Sequence, residues 1–267
     1  NKRTSANYEK EPRGSFFAKG VAAMAPIFDR LRRRRADMPF CTAVVPAAGS
    51  STRMEGQDKI LLTLGDYPVL VRTLQALEAC TRIQEIVVVT REDLIVPVSQ
   101  LCRDFALEKV THIVTGGTTR TQSVLNGIRE ASPQAGLIAI HDGARPFVTQ
   151  EVLEEVIDRA AQCGAAAPAV PVTDTVKRAM NGIVEETVDR DTLFAVQTPQ
   201  VFEASLIKAA LQRAVEEGVT LTDDCAAVER LGMTVALTRG DRANIKLTTP
   251  TDLDLGLGIL NGRGEFV

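Results

Sequence analysis

The chain has 267 residues, 45% of them hydrophobic, and a formal net charge of −3. That length and apolar share fit a folded domain with a real core rather than a disordered chain. The mild acidity, the absence of Trp and an aromatic share of 4% argue against a basic, base-stacking nucleic-acid surface.

The charge is unevenly spread. Residues 1–39 hold ten Lys or Arg against four acids, so they carry +6 and the remainder −9. Within them, FFAKGVAAMAPIFDRLRRRR is compatible with a short basic amphipathic helix, a disordered leader or an Arg-rich targeting segment. It is not a secretory signal, because its basic run follows its most apolar stretch. Five cysteines, at 41, 80, 102, 163 and 225, form no CxxC pair. They read as reduced core thiols of a cytoplasmic protein, not a disulfide or zinc framework. No apolar stretch reaches membrane-spanning length.

From Cys41 the pattern becomes regular. CTAVV, EIVVVT, THIVTGG, LIAI and AAAPAV are short buried-strand runs. Between them, PVLVRTLQALEAC, LIVPVSQLCRDFAL, TQSVLNGIREA and EVLEEVIDRAAQC have helical spacing. Such alternation predicts βαβ units and a mostly parallel sheet in one Rossmann-like α/β domain over 40–267. Residues 174–200 break the rhythm, with a β-arm over about 174–195. DTVKRAMNGIVEETVDR alternates polar and apolar positions around Asn181-Gly182, a hairpin signal for an inserted β-arm. VFEASLIKAALQRAVEEG then reads as a helix. TDDCAAVERLG reads as a second helix with an acidic first turn, MTVALTRG as a strand, and TPTDLDLGLGIL as a last helix opened at a Thr-Pro step.

The chemistry gathers at strand ends. After CTAVV comes PAAGSSTR, where Gly49, Ser50 and Ser51 form a small-residue nest followed by the cations Arg53 and Lys59. Backbone N–H groups near a helix start favour an anion there. Neither G-x-G-x-x-G nor the P-loop pattern is present, so this is not a dinucleotide fingerprint or a P-loop ATPase. The other strand ends, TGGTTR, HDGARP, PVTDT and QTPQ, repeat small residues, Thr, Arg and Asp. In a parallel sheet these ends converge on the ligand. Asp142 leaves its strand placed to hold a hard cation such as Mg2+. Arg145 braces it, and His141 reads as a hydrogen-bonded loop residue. The set suggests nucleotidyl transfer onto a phosphate. A phosphate acceptor is ionised near neutral pH and needs orientation rather than a general base.

PAAGSSTRM with Lys59, GGTTRTQSV, HDGARP, DTVKR, TVDR, QTPQ, TDD and NIKLT, in that order, resemble the 2-C-methyl-D-erythritol 4-phosphate cytidylyltransferase family of the non-mevalonate isoprenoid pathway. The resemblance runs from residue 42 to about 262. It implies a donor CTP, a polyol-phosphate acceptor, Mg2+ and no organic cofactor. It implies that Ala47, Ala48 and Gly49 line the CTP, that Gly117, Thr118 and Ser123 border base and ribose, and that Arg53, Lys59, Asp142 and Lys246 serve the chemistry. Thr175, Arg190, Thr198 and Thr222 match acceptor or phosphate contacts. The family's arm dimerises, which would bring Arg190 to the partner subunit's site. Neither nucleic acid nor membrane is implied as a partner. Ribitol-5-phosphate and other polyol-phosphate cytidylyltransferases share most of these motifs. The chain departs from the family in three ways. Asp58-Lys59-Ile60 stands where Pro-Lys-Gln is common, which predicts a weakened positive field beside Lys59. The stretch from Met54 to Lys59 is about one residue short, and the basic leader lies outside the family's core.

Overall fold

The computed structural model describes residues 38–49, 58 and 60–265, which fall in one compact unit beginning at Met38. All but the last two residues of the expected leader lie outside the described residues, as do Arg53 and Lys59.

In chain order the strands are β1 (Cys41–Pro46), β2 (Thr63–Leu64), β3 (Tyr67–Pro68), β4 (Glu85–Thr90), β5 (Val110–Thr115), β6 (Leu137–Ile140), β7 (Ala165–Pro171), β8 (Lys177–Met180), β9 (Ile183–Thr187), β10 (Phe194–Val196), β11 (Gln200–Glu203) and β12 (Ala236–Arg239). The helices are α1 (Val69–Glu78), α2 (Ile95–Asp104), α3 (Arg120–Arg129), α4 (Gln150–Cys163), α5 (Ala204–Glu216), α6 (Cys225–Arg230) and α7 (Pro250–Arg263). The main sheet runs β10-β7-β11-β6-β1-β4-β5, with β12 also paired to β7. Pairs β1–β4, β1–β6, β4–β5 and β7–β12 are parallel.

Both faces of the central strands β1, β4 and β6 are buried, which is why these strands read as continuous apolar runs. In β1, Ala43 and Val45 join one core with Leu70, Leu74 and Leu77 of α1, with α2 and with α4. Val44 points the other way, into a core with Val124 and Ile128 of α3, Leu211 of α5 and Val228 of α6. The Leu70, Leu74, Leu77 spacing places one helical stripe on the sheet. Each such leucine contributes about 1.5–3 kcal/mol on burial. Helix α3 sits so close that a Cβ on Gly127 would fall 2.6 Å from side-chain atoms of both Val44 and Val89.

Two sequence expectations need correction. VFE is not helical: it lies in β11, which runs antiparallel between β6 and β7. Val201 and Phe202 face opposite cores, a period of two that a run this short could not declare. The acids of TDD are not in a first helical turn, because α6 starts one residue later, at Cys225. Asp223, which precedes the N-cap residue Asp224, accepts from Ala226 N–H, and the Asp224 carboxylate serves another partner. The small β2–β3 hairpin had no clear sequence signal.

The inserted segment forms the β8–β9 hairpin, with Asn181 and Gly182 both at positive φ, as a tight hairpin turn needs. Every residue of both strands is exposed. Chain continuity then returns through a 3-10 turn, Arg190–Thr192, to β10 at the edge of the main sheet.

Candidate active site

The order of the sheet locates the site. The chain leaves β1 for β4 and β5 on one side and later fills β6 on the other. The crevice beyond the C-terminal ends of β1 and β6 is the switch point at which such sheets bind ligands. Hydrogen bonds carry the order past the strand ends: Ala47 N–H donates to Val89 O (2.7 Å), Gly116 N–H to Thr90 O (2.8 Å) and Gly143 N–H to Pro46 O (3.2 Å). A cavity of about 370 Å3 opens there, within the size range of small-molecule sites. Its walls are the loops after β1, β5 and β6 plus Lys246.

The β1 loop supplies Ala47, Ala48 and Gly49 as small-residue walls. The β5 loop approaches it so closely that a Cβ on Gly116 would fall 2.8 Å from Ala48 Cβ. The start of α3 shapes this second loop. Thr119 caps the helix by accepting from Gln122 N–H, and Ser123 Oγ accepts from Gly117 N–H (3.0 Å) while donating to Thr119 O (2.9 Å). Gln122 Oε1 accepts from Thr118 N–H at 3.0 Å. Gly117, Thr118 and Ser123 are thus brought to one pocket wall facing Ala47–Gly49.

Asp142 stands on the third wall. Its Oδ2 meets Lys246 Nζ at 2.9 Å and Arg145 Nε at 3.5 Å, and its Oδ1 lies 3.6 Å from Arg120 Nη2. Burial alone would raise its pKa, but Lys246, Arg120 and Arg145 outweigh that and hold the carboxyl well below the usual range. Lys246 reaches the site because Leu247 N–H donates to Ala144 O (2.9 Å) and Arg145 Nη1 donates to Asn244 O (2.7 Å).

QTPQ braces both loops from below. Gln197 Nε2 donates to Asp241 O (2.7 Å), and Asn244 Nδ2 donates to Thr198 O (2.9 Å). Thr198 is buried. Its Oγ1 accepts from Asp142 N–H (3.1 Å) and lies 3.1 Å from His141 Nδ1. His141 Nε2 faces Arg145 O at 3.1 Å, so Nε2 carries the proton and Nδ1 accepts from Thr198. Full burial pushes the His141 pKa down to about 4. With both ring nitrogens engaged, it is a brace rather than a base.

Thr175 and Arg190 lie on the exposed arm, where Arg190 Nη1 donates to Thr173 O (2.9 Å), and Thr222 is exposed just before α6. The structure does not bring the arm residues to the pocket of their own chain. Asp58 is not a lone charge. Arg91, which also pairs with Asp93, grips its two oxygens at 2.6 and 2.7 Å and offsets part of its charge where it stands.

Two residues were not singled out in the sequence. Arg120 lines the cavity, and its two Nη atoms hold both oxygens of Asp224 at 2.9 and 2.7 Å. Both motifs, GGTTR and TDD, were visible, but only folding pairs them.

Among the described residues a metal would find one carboxylate on the cavity wall, Asp142. No described cation lies within hydrogen-bonding distance of its Oδ1, and Mg2+ carried on phosphates needs only one or two carboxylates. Among the described residues no cluster of three His, Cys, Asp or Glu could hold a metal by itself. The donor set therefore fits a cation that arrives with a nucleotide.

Comparison with known proteins gives a consistent result. Residues 41–261 match the family model described as 2-C-methyl-D-erythritol 4-phosphate cytidylyltransferase. A protein of that name from Geobacillus kaustophilus is 45% identical over 222 residues, covering 83% of this chain and 97% of its own length. One from Bacillus licheniformis is 39% identical over 227 residues, covering 84% and 98%. The crystal structure of 4-diphosphocytidyl-2C-methyl-D-erythritol synthase from Anaerococcus prevotii superposes with a TM-score of 0.75 at 30% identity, covering 84% of this chain and all of that one.

Proposed function

The chain belongs to the 2-C-methyl-D-erythritol 4-phosphate cytidylyltransferase family, and from that membership and the pocket we infer that it is a nucleotidyltransferase. It moves CMP from CTP to 2-C-methyl-D-erythritol 4-phosphate, yielding 4-diphosphocytidyl-2-C-methyl-D-erythritol and pyrophosphate. The observation that carries the reading is the match over 41–261, which includes every loop of the switch-point cavity. The same relatives favour this acceptor over ribitol-5-phosphate and other polyol phosphates.

The chemistry proposed for the site is positioning and charge balance. Ala47, Ala48 and Gly49 let the nucleotide approach the backbone. Gly117, Thr118 and Ser123 border base and ribose, where a pyrimidine fits and a purine is too long. Asp142 would hold Mg2+, which when bound would supply neutralisation of the triphosphate. Lys246 keeps Asp142 ionised and oriented. Arg53 and Lys59, which lie outside the described residues, balance charge on the transferred and leaving phosphates. The acceptor phosphate is already anionic and attacks without a base, and the engaged, neutral His141 accords with that. Thr175, Arg190 and Thr222 take the acceptor, with Arg190 supplied by a partner subunit, and Thr198, expected among these contacts, stands buried behind Asp142. The exposed arm supports a homodimer: Met180, Ile183 and Val184 are 62%, 72% and 56% exposed on a hairpin with no core of its own. Five free cysteines accord with a cytoplasmic setting. No helix among the described residues is long and apolar enough to cross a membrane.

The test is donor choice. Purified chain with CTP, Mg2+ and the acceptor should release pyrophosphate, and ATP in place of CTP, or EDTA, should abolish release. Equal rates with ATP and CTP would overturn the pyrimidine pocket.

A further inference from the structure

Arg120 is the first residue of α3 and Asp224 stands immediately before α6. Their fork-to-fork pair, at 2.9 and 2.7 Å, joins the cavity's β5 loop to the segment that carries Thr222. Asp224 is 1% exposed, while the Arg120 side chain is 35% exposed and faces the cavity. The pair is therefore lopsided: a buried anion holding a presented cation.

A plain stitch between two helices does not need this. Buried ion pairs add little stability over well-packed apolar residues of similar volume. A bidentate carboxylate does fix the plane and direction of a guanidinium. Asp224 is itself fixed from the sheet, because Gln200 Oε1 accepts from the N–H groups of Asp224 and Cys225 at 2.9 and 3.0 Å. Gln200 Nε2 also donates to Asp223 at 2.9 Å. From Gln200 through Asp224 the order reaches Arg120, whose Nη2 then lies 3.6 Å from Asp142 Oδ1.

We propose that Arg120 is a further substrate-facing cation of the transfer reaction, acting on phosphate oxygens between the nucleotide and acceptor halves, and that Asp224 is its positioning residue. The proposal rests on the cytidylyltransferase reading. Arg120 serves charge that builds as the phosphate is transferred, so its orientation matters to turnover more than to CTP binding. Asp224 keeps the guanidinium at the cavity without touching substrate.

Four variants test it, each with turnover counted per folded molecule and CTP affinity measured separately. Asp224→Asn keeps the side-chain volume but loses the charged fork. It should lower kcat about tenfold or more while the CTP dissociation constant stays within about threefold. Arg120→Lys should retain more turnover than Arg120→Gln, because charge at the cavity is what counts. The double variant Arg120→Gln/Asp224→Asn replaces the ion pair by a neutral pair. A purely structural stitch would regain wild-type kcat in it, whereas the proposal expects turnover to stay low. Wild-type kcat in Asp224→Asn or in the neutral pair, or equal rates for the Lys and Gln variants, would overturn the proposal. Failure of the wild-type chain to release pyrophosphate from CTP would instead overturn the reading on which it rests.

Discussion

Lys246 Nζ stands 2.9 Å from Asp142 Oδ2, and that contact ties the loop after β12 to the loop after β6. It places a cation and an anion of the cavity wall on one fixed line. Because the Asp142 pKa is depressed in the folded state, its contribution to stability is present above the ordinary aspartate value of about 3.9 and is lost as pH falls below it. Lys246 is 38% exposed, so solvent screens the pair. Lys246→Gln should cost about 1 kcal/mol of unfolding free energy at pH 7. Urea melts at pH 7 and pH 3 check this: the gap between wild type and variant should shrink in acid. A gap unchanged by pH would show that Lys246 acts through packing instead.

His141 gives a second pH signature. Its folded pKa is about 4 and its ordinary value about 6.5, so the unfolded chain binds the extra proton between them. Stability due to neutral His141 is complete above about pH 6.5 and is lost as pH falls toward 4. The whole step is roughly 3 kcal/mol by linkage arithmetic. Thermal melts across this range should show a slope that is reduced in His141→Gln. An equal slope in the variant would contradict the burial argument.

Arg91 and Asp58 form a device that local reading misjudged. Asp58 looked like a stray negative charge beside Lys59, and Arg91 offsets part of it. Arg91→Met should expose that charge and weaken CTP binding roughly fivefold, the scale of a partly exposed pair. Asp58→Asn in the same chain should restore binding. Equilibrium titration of CTP checks both, and a double variant no better than the single one would deny the electrostatic explanation.

The arm carries a prediction about assembly. Ile183→Asp places a charge among the exposed apolar side chains of the hairpin, Met180, Ile183 and Val184. If a second subunit covers that face, the variant should shift toward monomer in light scattering at low concentration. Activity in trans follows by complementation. Inactive Lys59→Ala and Arg190→Ala chains, once exchanged, should recover part of the activity, because each mixed dimer holds one intact site. Demonstrated exchange with no recovery would place Arg190 in its own chain's chemistry.

Much of this architecture was legible in the sequence because buried parallel strands announce themselves. EIVVVT and LIAI could hardly be anything else, and Asn181-Gly182 marked its hairpin. The loops after β1, β5 and β6 were legible as small-residue strand ends, and fold order alone brings those to one edge. Strand β11 was hidden because four residues leading into a helix carry no measurable period. Arg120 was hidden for a different reason. An arginine at the start of a helix is ordinary, and its partner Asp224 lies 104 residues away in the chain. Pairings over such distance are properties of the fold and not of any motif. The same holds for Arg91, whose grip on Asp58 offsets a charge that looked unpaired in the sequence.

The central claim concerns the acceptor. It is tested most directly by supplying CTP and Mg2+ with either 2-C-methyl-D-erythritol 4-phosphate or ribitol 5-phosphate and following pyrophosphate release, with the nucleotide product identified by mass. Rapid release and 4-diphosphocytidyl-2-C-methyl-D-erythritol are expected with the first acceptor, and at least about a hundredfold lower kcat/KM with the second, a difference of roughly 2.7 kcal/mol in transition-state stabilisation. Equal or faster turnover of ribitol 5-phosphate would contradict it.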